Sequence, residues 1–244
     1  MRVLGIIPAR YESSRFPGKP LIDLRGKTMI QRVYEGAAKC SLLDKLIVAT
    51  DDERIFNTVK GFGGEVMMTK SSHQNGTERC GEVLQKHGDY DVIVNVQGDE
   101  PLINPLQLEN LIALFNDKEV AIGTIAKPMN DMADIRNPNR IKVVLDAMNN
   151  GIYFSRSPIP HVAGLAHENW MDKATFYKHI GLYAWKKEIL EELLALPSTT
   201  LEKIESLEQL RWIYNGYKIR CAISGLDTPN IDVPEDVNKV LALL

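Results

Sequence analysis

The chain has 244 residues, 44% of them hydrophobic and 25% charged, with a formal net charge of −3 at pH 7. This is the make-up of a globular protein with one large domain, or one domain with a lobe, and it supplies no global field toward nucleic acid or anionic lipid. No apolar run approaches the roughly 18 residues of a membrane helix, and Cys40, Cys80 and Cys221 form no CxxC or Cys/His cluster; the apolar start is too short for a signal peptide, so a reducing, cytoplasmic setting is expected, with no nucleic-acid or membrane partner.

Val3–Pro8 has the pattern of a buried strand, and IIPARYESSRFPGKPL, from Ile6 to Leu21, runs on from it into a loop. The loop carries three cations, Arg10, Arg15 and Lys19, two hydroxyls, Ser13 and Ser14, and a turn at Pro17-Gly18. Arginine offers a planar fork to phosphate oxygens, lysine a movable point charge, and glycine lets backbone approach a ligand closely. The combination points to a polyphosphate cradle; a solvated basic loop is the plainer alternative. Neither GxxxxGKS/T nor GxGxxG is present, which excludes a Walker A loop and a dinucleotide fingerprint. A loop at a strand's carboxyl end is where open α/β sheets hold ligands.

Met29, Ile30, Val33, Ala37 and Ala38 predict a helix over Thr28–Cys40. Lys45–Thr50 is a short buried strand. Asp51 and Asp52 then open a helix with Ile55, Phe56 and Val59 on one face, and one aspartate serves as its cap. Gly61–Gly64 ends that helix, and Glu65–Met68 is a third strand. The segment from Ser72 through His73, Gln74, Asn75, Gly76 and Thr77 to Arg79 leads into a helix over Thr77–His87. Its donors and acceptors suit a base or ribose, while Thr77 also suits a helix cap. Arg79 in the first turn opposes the helix dipole, which calls for a compensating anion. Asp91–Val96 is a fourth strand, followed by Gln97-Gly98-Asp99-Glu100-Pro101 and a helix from Pro105 to Asn116. Asp99 falls on the same sheet edge as the Arg10–Lys19 loop. Beside a polyphosphate it fits a ligand for Mg²⁺, which takes few carboxylates and shares phosphate oxygens; the alternative is a cap or turn. Strands alternating with helices predict an α/β fold with a largely parallel sheet covered on both faces.

The second half reads differently. Val120–Ala126 is a strand. Ile141–Ala147 and Gly151–Ser155 flank an Asn-Gly turn and form a hairpin. Phe176–Trp185 is a strand on which His179, Gly181 and Tyr183 share a face. Together with Arg156, Glu208, Gln209 and Arg211 they offer a pocket for a hydroxylated acid, though a lone strand histidine is usually structural. Lys187–Leu196 and Leu207–Tyr214 are helices, Lys218–Ile223 a late strand, and Pro234–Leu244 a terminal helix. Asp232 before it is equally a metal ligand or a cap; Glu235 and Asp236 complement the helix dipole.

These segments together closely resemble the 3-deoxy-manno-octulosonate cytidylyltransferases over nearly the full length. The resemblance is carried by IPARYESSRFPGKPL, VATDDERI, HQNGTERCGEV, VNVQGDEPLI, NPNRIKVV, YFSRSPIP, YKHIGLYAW, LEQLRWIYNGYKI and IDVPEDV. One departure is visible: the family's usual IDTPEDL has Val233 and Val237 here, with Asp232 retained. The resemblance implies a Rossmann-like nucleotide-diphospho-sugar transferase fold in a single domain, residues 1–244. It implies a hairpin lobe near residues 127–175 that makes a homodimer. It also implies Mg²⁺-dependent transfer of CMP from CTP to the anomeric hydroxyl of 3-deoxy-manno-octulosonate, for lipopolysaccharide biosynthesis. By resemblance, Arg10, Ser13, Ser14, Arg15, Lys19, Ser72, Gln74, Arg79 and Gln97 fall on the nucleotide side, and Arg156, His179, Tyr183, Glu208 and Gln209 on the sugar side. Asp99 and Asp232 match the metal carboxylates, and Arg10, Lys19, Asp99 and Asp232 the catalytic group. A transferase for a sialic acid, a catalytically dead nucleotide-binding subunit and a glycosyltransferase are the competing readings. Retention of Lys19, Asp99 and Asp232 speaks against the second, and QGDEP, standing where a DxD metal motif would be expected, against the third.

Overall fold

The computed structural model describes residues 1–12 and 16–244. In chain order the elements are β1 (Val3–Ala9), α1 (Met29–Ala37), β2 (Lys45–Thr50), α2 (Glu53–Gly61), β3 (Val66–Met68), α3 (Gly76–Lys86), β4 (Val92–Asn95), α4 (Pro105–Ala113) and β5 (Ile122–Pro128). They continue as α5 (Met132–Arg136), β6 (Lys142–Leu145), β7 (Gly151–Ser155), β8 (Tyr177–Lys186), α6 (Lys187–Leu194), α7 (Thr200–Glu205), α8 (Gln209–Tyr214), β9 (Ile219–Ile223) and α9 (Asp236–Leu241).

Alternation along β1 sets the layers. Val3 and Ile7 enter one core with Ile30 and Val33 of α1, Ile55 of α2 and Leu111 of α4. Leu4 and Ile6 enter the other with Val83 of α3, Leu193 of α6 and Trp212 of α8. Successive strand residues point to opposite faces, so a continuous apolar run requires helices on both. The strand order is β3-β2-β1-β4-β8-β5-β9, with the β6–β7 hairpin attached to β8. β3, β2, β1 and β4 are parallel. β8 runs antiparallel between β4 and β5, and β9 is parallel to β5. The sheet is therefore mostly parallel, with β8 and β7 as its reversed strands.

Polar caps fix the helix starts. Asp52 accepts from the Arg54 and Ile55 amides at the head of α2, and Asn75 accepts from the Glu78 amide at the head of α3. Thr77 is not that cap; it lies inside α3 and is buried. The terminal helix begins at Asp236, two residues later than its sequence pattern predicts, and α7 is an element the pattern left out. The order of strands reverses beside β1, whose neighbours are β2 and β4, and ligand crevices in open α/β sheets form at such points.

Candidate functional site

The carboxyl ends of β1, β2 and β4 supply the site. Beyond Ala9 of β1 the chain passes through Arg10 and Tyr11 and returns at Gly18, whose amide donates to the Tyr11 carbonyl at 2.8 Å. Gly18 has φ of 73°, and a Cβ there would stand 3.1 Å from the Tyr11 ring. Its left-handed backbone and the Tyr11 ring each require the glycine. The turn delivers Lys19 into a short 3₁₀ helix, Lys19–Leu21. Ser13, Ser14 and Arg15 lie outside the described residues.

Lys19 Nζ donates to Asp99 Oδ2 at 2.9 Å and to the Ile231 carbonyl at 2.8 Å, and stands 3.9 Å from Asp232 Oδ1. The Ile231 amide in turn donates to the Asp99 carbonyl at 3.0 Å. One ammonium thus joins the β1 loop, the β4 loop and the strap before α9. Asp232 is not the cap of α9, which starts from Glu235. Asp236 accepts from the Asp232 and Val233 backbone amides and fixes their backbone, and Asn230 Nδ2 donates to Asp232 Oδ2 at 3.0 Å.

Lys19, Asp99 and Asp232 line a cavity of about 340 Å³, and so does the exposed Arg10. Gln97, Asn95, Asn75, Thr77, Arg79, Tyr183 and Glu208 line it as well. Gln97 Nε2 donates to the Gly181 carbonyl at 2.6 Å. That carbonyl is available because β8 bulges between Ile180 and Tyr183 as it pairs with Ile125 and Thr124. The anion that compensates Arg79 belongs to the protein: Arg79 meets Asp51 Oδ2 at 3.2 Å and also bonds the Thr69 hydroxyl.

The Thr77 hydroxyl donates to Glu208 Oε2 at 2.7 Å. Burial pushes the Glu208 carboxyl above its ordinary range, against the opposing pull of Thr77 and Arg211. Burial likewise raises the Tyr183 phenol well above its usual value. His179 and Tyr183 do share a face, with ring centroids 5.3 Å apart. His179 itself is buried, its Nε2 2.9 Å from the Thr124 hydroxyl, and burial lowers it to about 3, so it is a neutral ring. Ser72, Gln74, Arg156, His179 and Gln209 are not among the cavity-lining residues. Ser72 and Gln74 are exposed. The Arg156 guanidinium is spent on the Glu205, Pro138 and Ser206 carbonyls. Pattern reading passed over Asn95, whose signal was a polar residue ending an apolar strand, while His73 and Asn75 line the cavity from the segment read as suiting a base or ribose.

The sequence profile of the cytidylyltransferase family matches residues 4–219. The 3-deoxy-manno-octulosonate cytidylyltransferase of Parabacteroides distasonis is 53% identical, covering 100% of this chain and 98% of the relative. The enzyme of that name from Bacteroides thetaiotaomicron is also 53% identical, covering 97% and 96%. Among solved structures, CMP:2-keto-3-deoxy-manno-octonic acid synthetase complexed with CTP superimposes with a TM-score of 0.93 at 40% identity, covering 100% of this chain and 98% of that one. By fold, sequence and extent, the chain belongs to the cytidylyltransferase family and, within it, to the 3-deoxy-manno-octulosonate cytidylyltransferases.

Proposed function

We propose that the cavity transfers CMP from CTP to the anomeric hydroxyl of 3-deoxy-manno-octulosonate, releasing pyrophosphate, as a step toward lipopolysaccharide. The observation that carries this reading is one cavity lined both by Lys19, Asp99 and Asp232, which meet around a single ammonium, and by the Tyr183 hydroxyl and the Glu208 carboxyl. A triphosphate suits the first and a hydroxylated sugar the second. In the reaction the sugar oxygen forms a bond to the α-phosphorus, the bond to the bridging oxygen of pyrophosphate breaks, and the hydroxyl gives up its proton. The task of the protein is alignment and charge neutralisation. Arg10 and Lys19 bind phosphate oxygens, and Lys19 meets the charge that develops on the leaving group. Gln97 and the α3 start hold the nucleoside side, while Thr77 keeps the Glu208 carboxyl toward the sugar.

Asp99 and Asp232 converge on one cation, Lys19. Two carboxylate oxygens facing a triphosphate fit Mg²⁺, which takes oxygen ligands and shares them with phosphate. When bound there, Mg²⁺ would neutralise phosphate charge and lower the pKa of a bound hydroxyl. The chain pairs through the β6–β7 hairpin, where Met148 and Ile152 are exposed, and works in the cytoplasm; among the described residues no helix is long and apolar enough to cross a membrane. Incubating the protein with CTP, Mg²⁺ and either 3-deoxy-manno-octulosonate or a sialic acid, and measuring pyrophosphate, tests the reaction. Release with sialic acid alone would overturn the choice of sugar.

A further inference from the structure

The loop between β3 and α3, residues 69–75, forms part of the cavity wall through His73 and Asn75. Two carboxylates one helical turn apart on α3 hold it down. Glu82 Oε2 accepts from the Lys70 amide at 2.8 Å and stands 2.5 Å from His73 Nε2. Glu78 Oε2 accepts from the Gln74 amide at 2.8 Å and lies 3.8 Å from His73 Nδ1. We propose that Glu82 is a positioning residue for nucleotide binding: without lining the cavity itself, it clamps Lys70 and His73 onto α3 so that the loop presents a fixed wall to CTP.

Both Glu82 contacts end on one oxygen, so the backbone and the ring are pinned at a single point. Burial pushes the Glu82 carboxyl up, but the Lys70 amide and His73 outweigh it and hold it below the ordinary range, with Lys86 the other nearby charge. Glu82 is therefore a carboxylate and only accepts, so His73 carries its proton on Nε2 and its ring orientation is set. The ring then faces the cavity from a fixed position.

The inference rests on the proposed reaction, and kinetics with CTP and sugar varied separately test it. Glu82→Ala is expected to raise KM for CTP about tenfold, with kcat and KM for the sugar held within about twofold. Glu82→Gln, which keeps an acceptor for the Lys70 amide, should recover most of that loss. An unchanged KM for CTP, or parallel rises for both substrates, would overturn the clamp. If Glu82→Ala does not fold, Glu82→Met, which fills the space without accepting from Lys70 or His73, decides by the same split in KM. Calorimetric CTP binding separates the two hypotheses: a wild type that binds CTP but releases no pyrophosphate fails the proposed reaction alone, and one that does not bind CTP overturns both.

Discussion

Lys19 Nζ and Asp99 Oδ2, 80 residues apart in sequence, meet at 2.9 Å, and the same ammonium stands 3.9 Å from Asp232. The lysine does two jobs with one charge. It keeps two carboxylates close that would otherwise repel, and it presents a cation to the cavity. Lys19→Met keeps the aliphatic stem and removes the charge. It should cut kcat by roughly 10²–10³, the usual cost of losing one preorganised donor to developing charge. Pyrophosphate release at saturating CTP measures this, and a loss below about tenfold would remove Lys19 from transition-state stabilisation.

Asp232 reaches the site from the other end of the chain, on a strap fixed by Asp236 and by the Ile231–Asp99 backbone bond. Asp232→Asn preserves shape and removes a charge. Turnover should fall by at least about 10² with Mg²⁺ present while CTP affinity stays within a few-fold, because an oxygen ligand is lost at the reacting end only. Near-normal turnover would take Asp232 out of the mechanism.

Gly98 sits where β1 and the β4 loop touch. A Cβ there would lie 2.7 Å from the Pro8 carbonyl oxygen, a backbone atom that cannot swing away. Gly98→Ala should destabilise the fold by about 1–3 kcal/mol and displace Asp99, so kcat falls even at temperatures where the variant stays folded. Gly61→Ala is the control, since nothing lies within 4 Å of its Cβ. Equal behaviour of the two variants in denaturation and turnover would refute the steric argument.

What the sequence disclosed, and what it hid, follows from range. The strands β1, β2 and β4 were legible as apolar runs, and Asp52 as a cap, because each depends on neighbours a few residues away. The Thr199 capping box with Glu202 that starts α7 was equally local, and its signature was present but unread. Arg79 was legible as a cation needing an anion, yet the anion is Asp51, brought up by β2. Thr77 looked like a cap because its partner, Glu208, is 131 residues away. His179 meets the Thr124 hydroxyl and Arg156 the Glu205 carbonyl, partners that local pattern could not supply. Such choices are made by tertiary packing.

Glu100 gives the site a pH-dependent stability. It is buried next to Asp99, and its Oε2 accepts from the Thr228 hydroxyl at 2.8 Å on the strap that carries Asp232. Burial, and then the Asp99 charge, push its carboxyl up to about 8 from 4.5, against the Thr228 bond. A carboxyl raised on folding binds its proton more tightly in the native state. Its contribution is therefore complete below about pH 4.5 and is lost as pH rises toward 8. Each pH unit in that window changes stability by up to about 1.36 kcal/mol, so urea midpoints should fall between pH 5 and pH 8. Glu100→Gln keeps an acceptor for Thr228 and cannot ionise, so its midpoints should vary less over the same range. Parallel curves for the two proteins would assign the dependence to other groups and leave Glu100 a charged neighbour of Asp99.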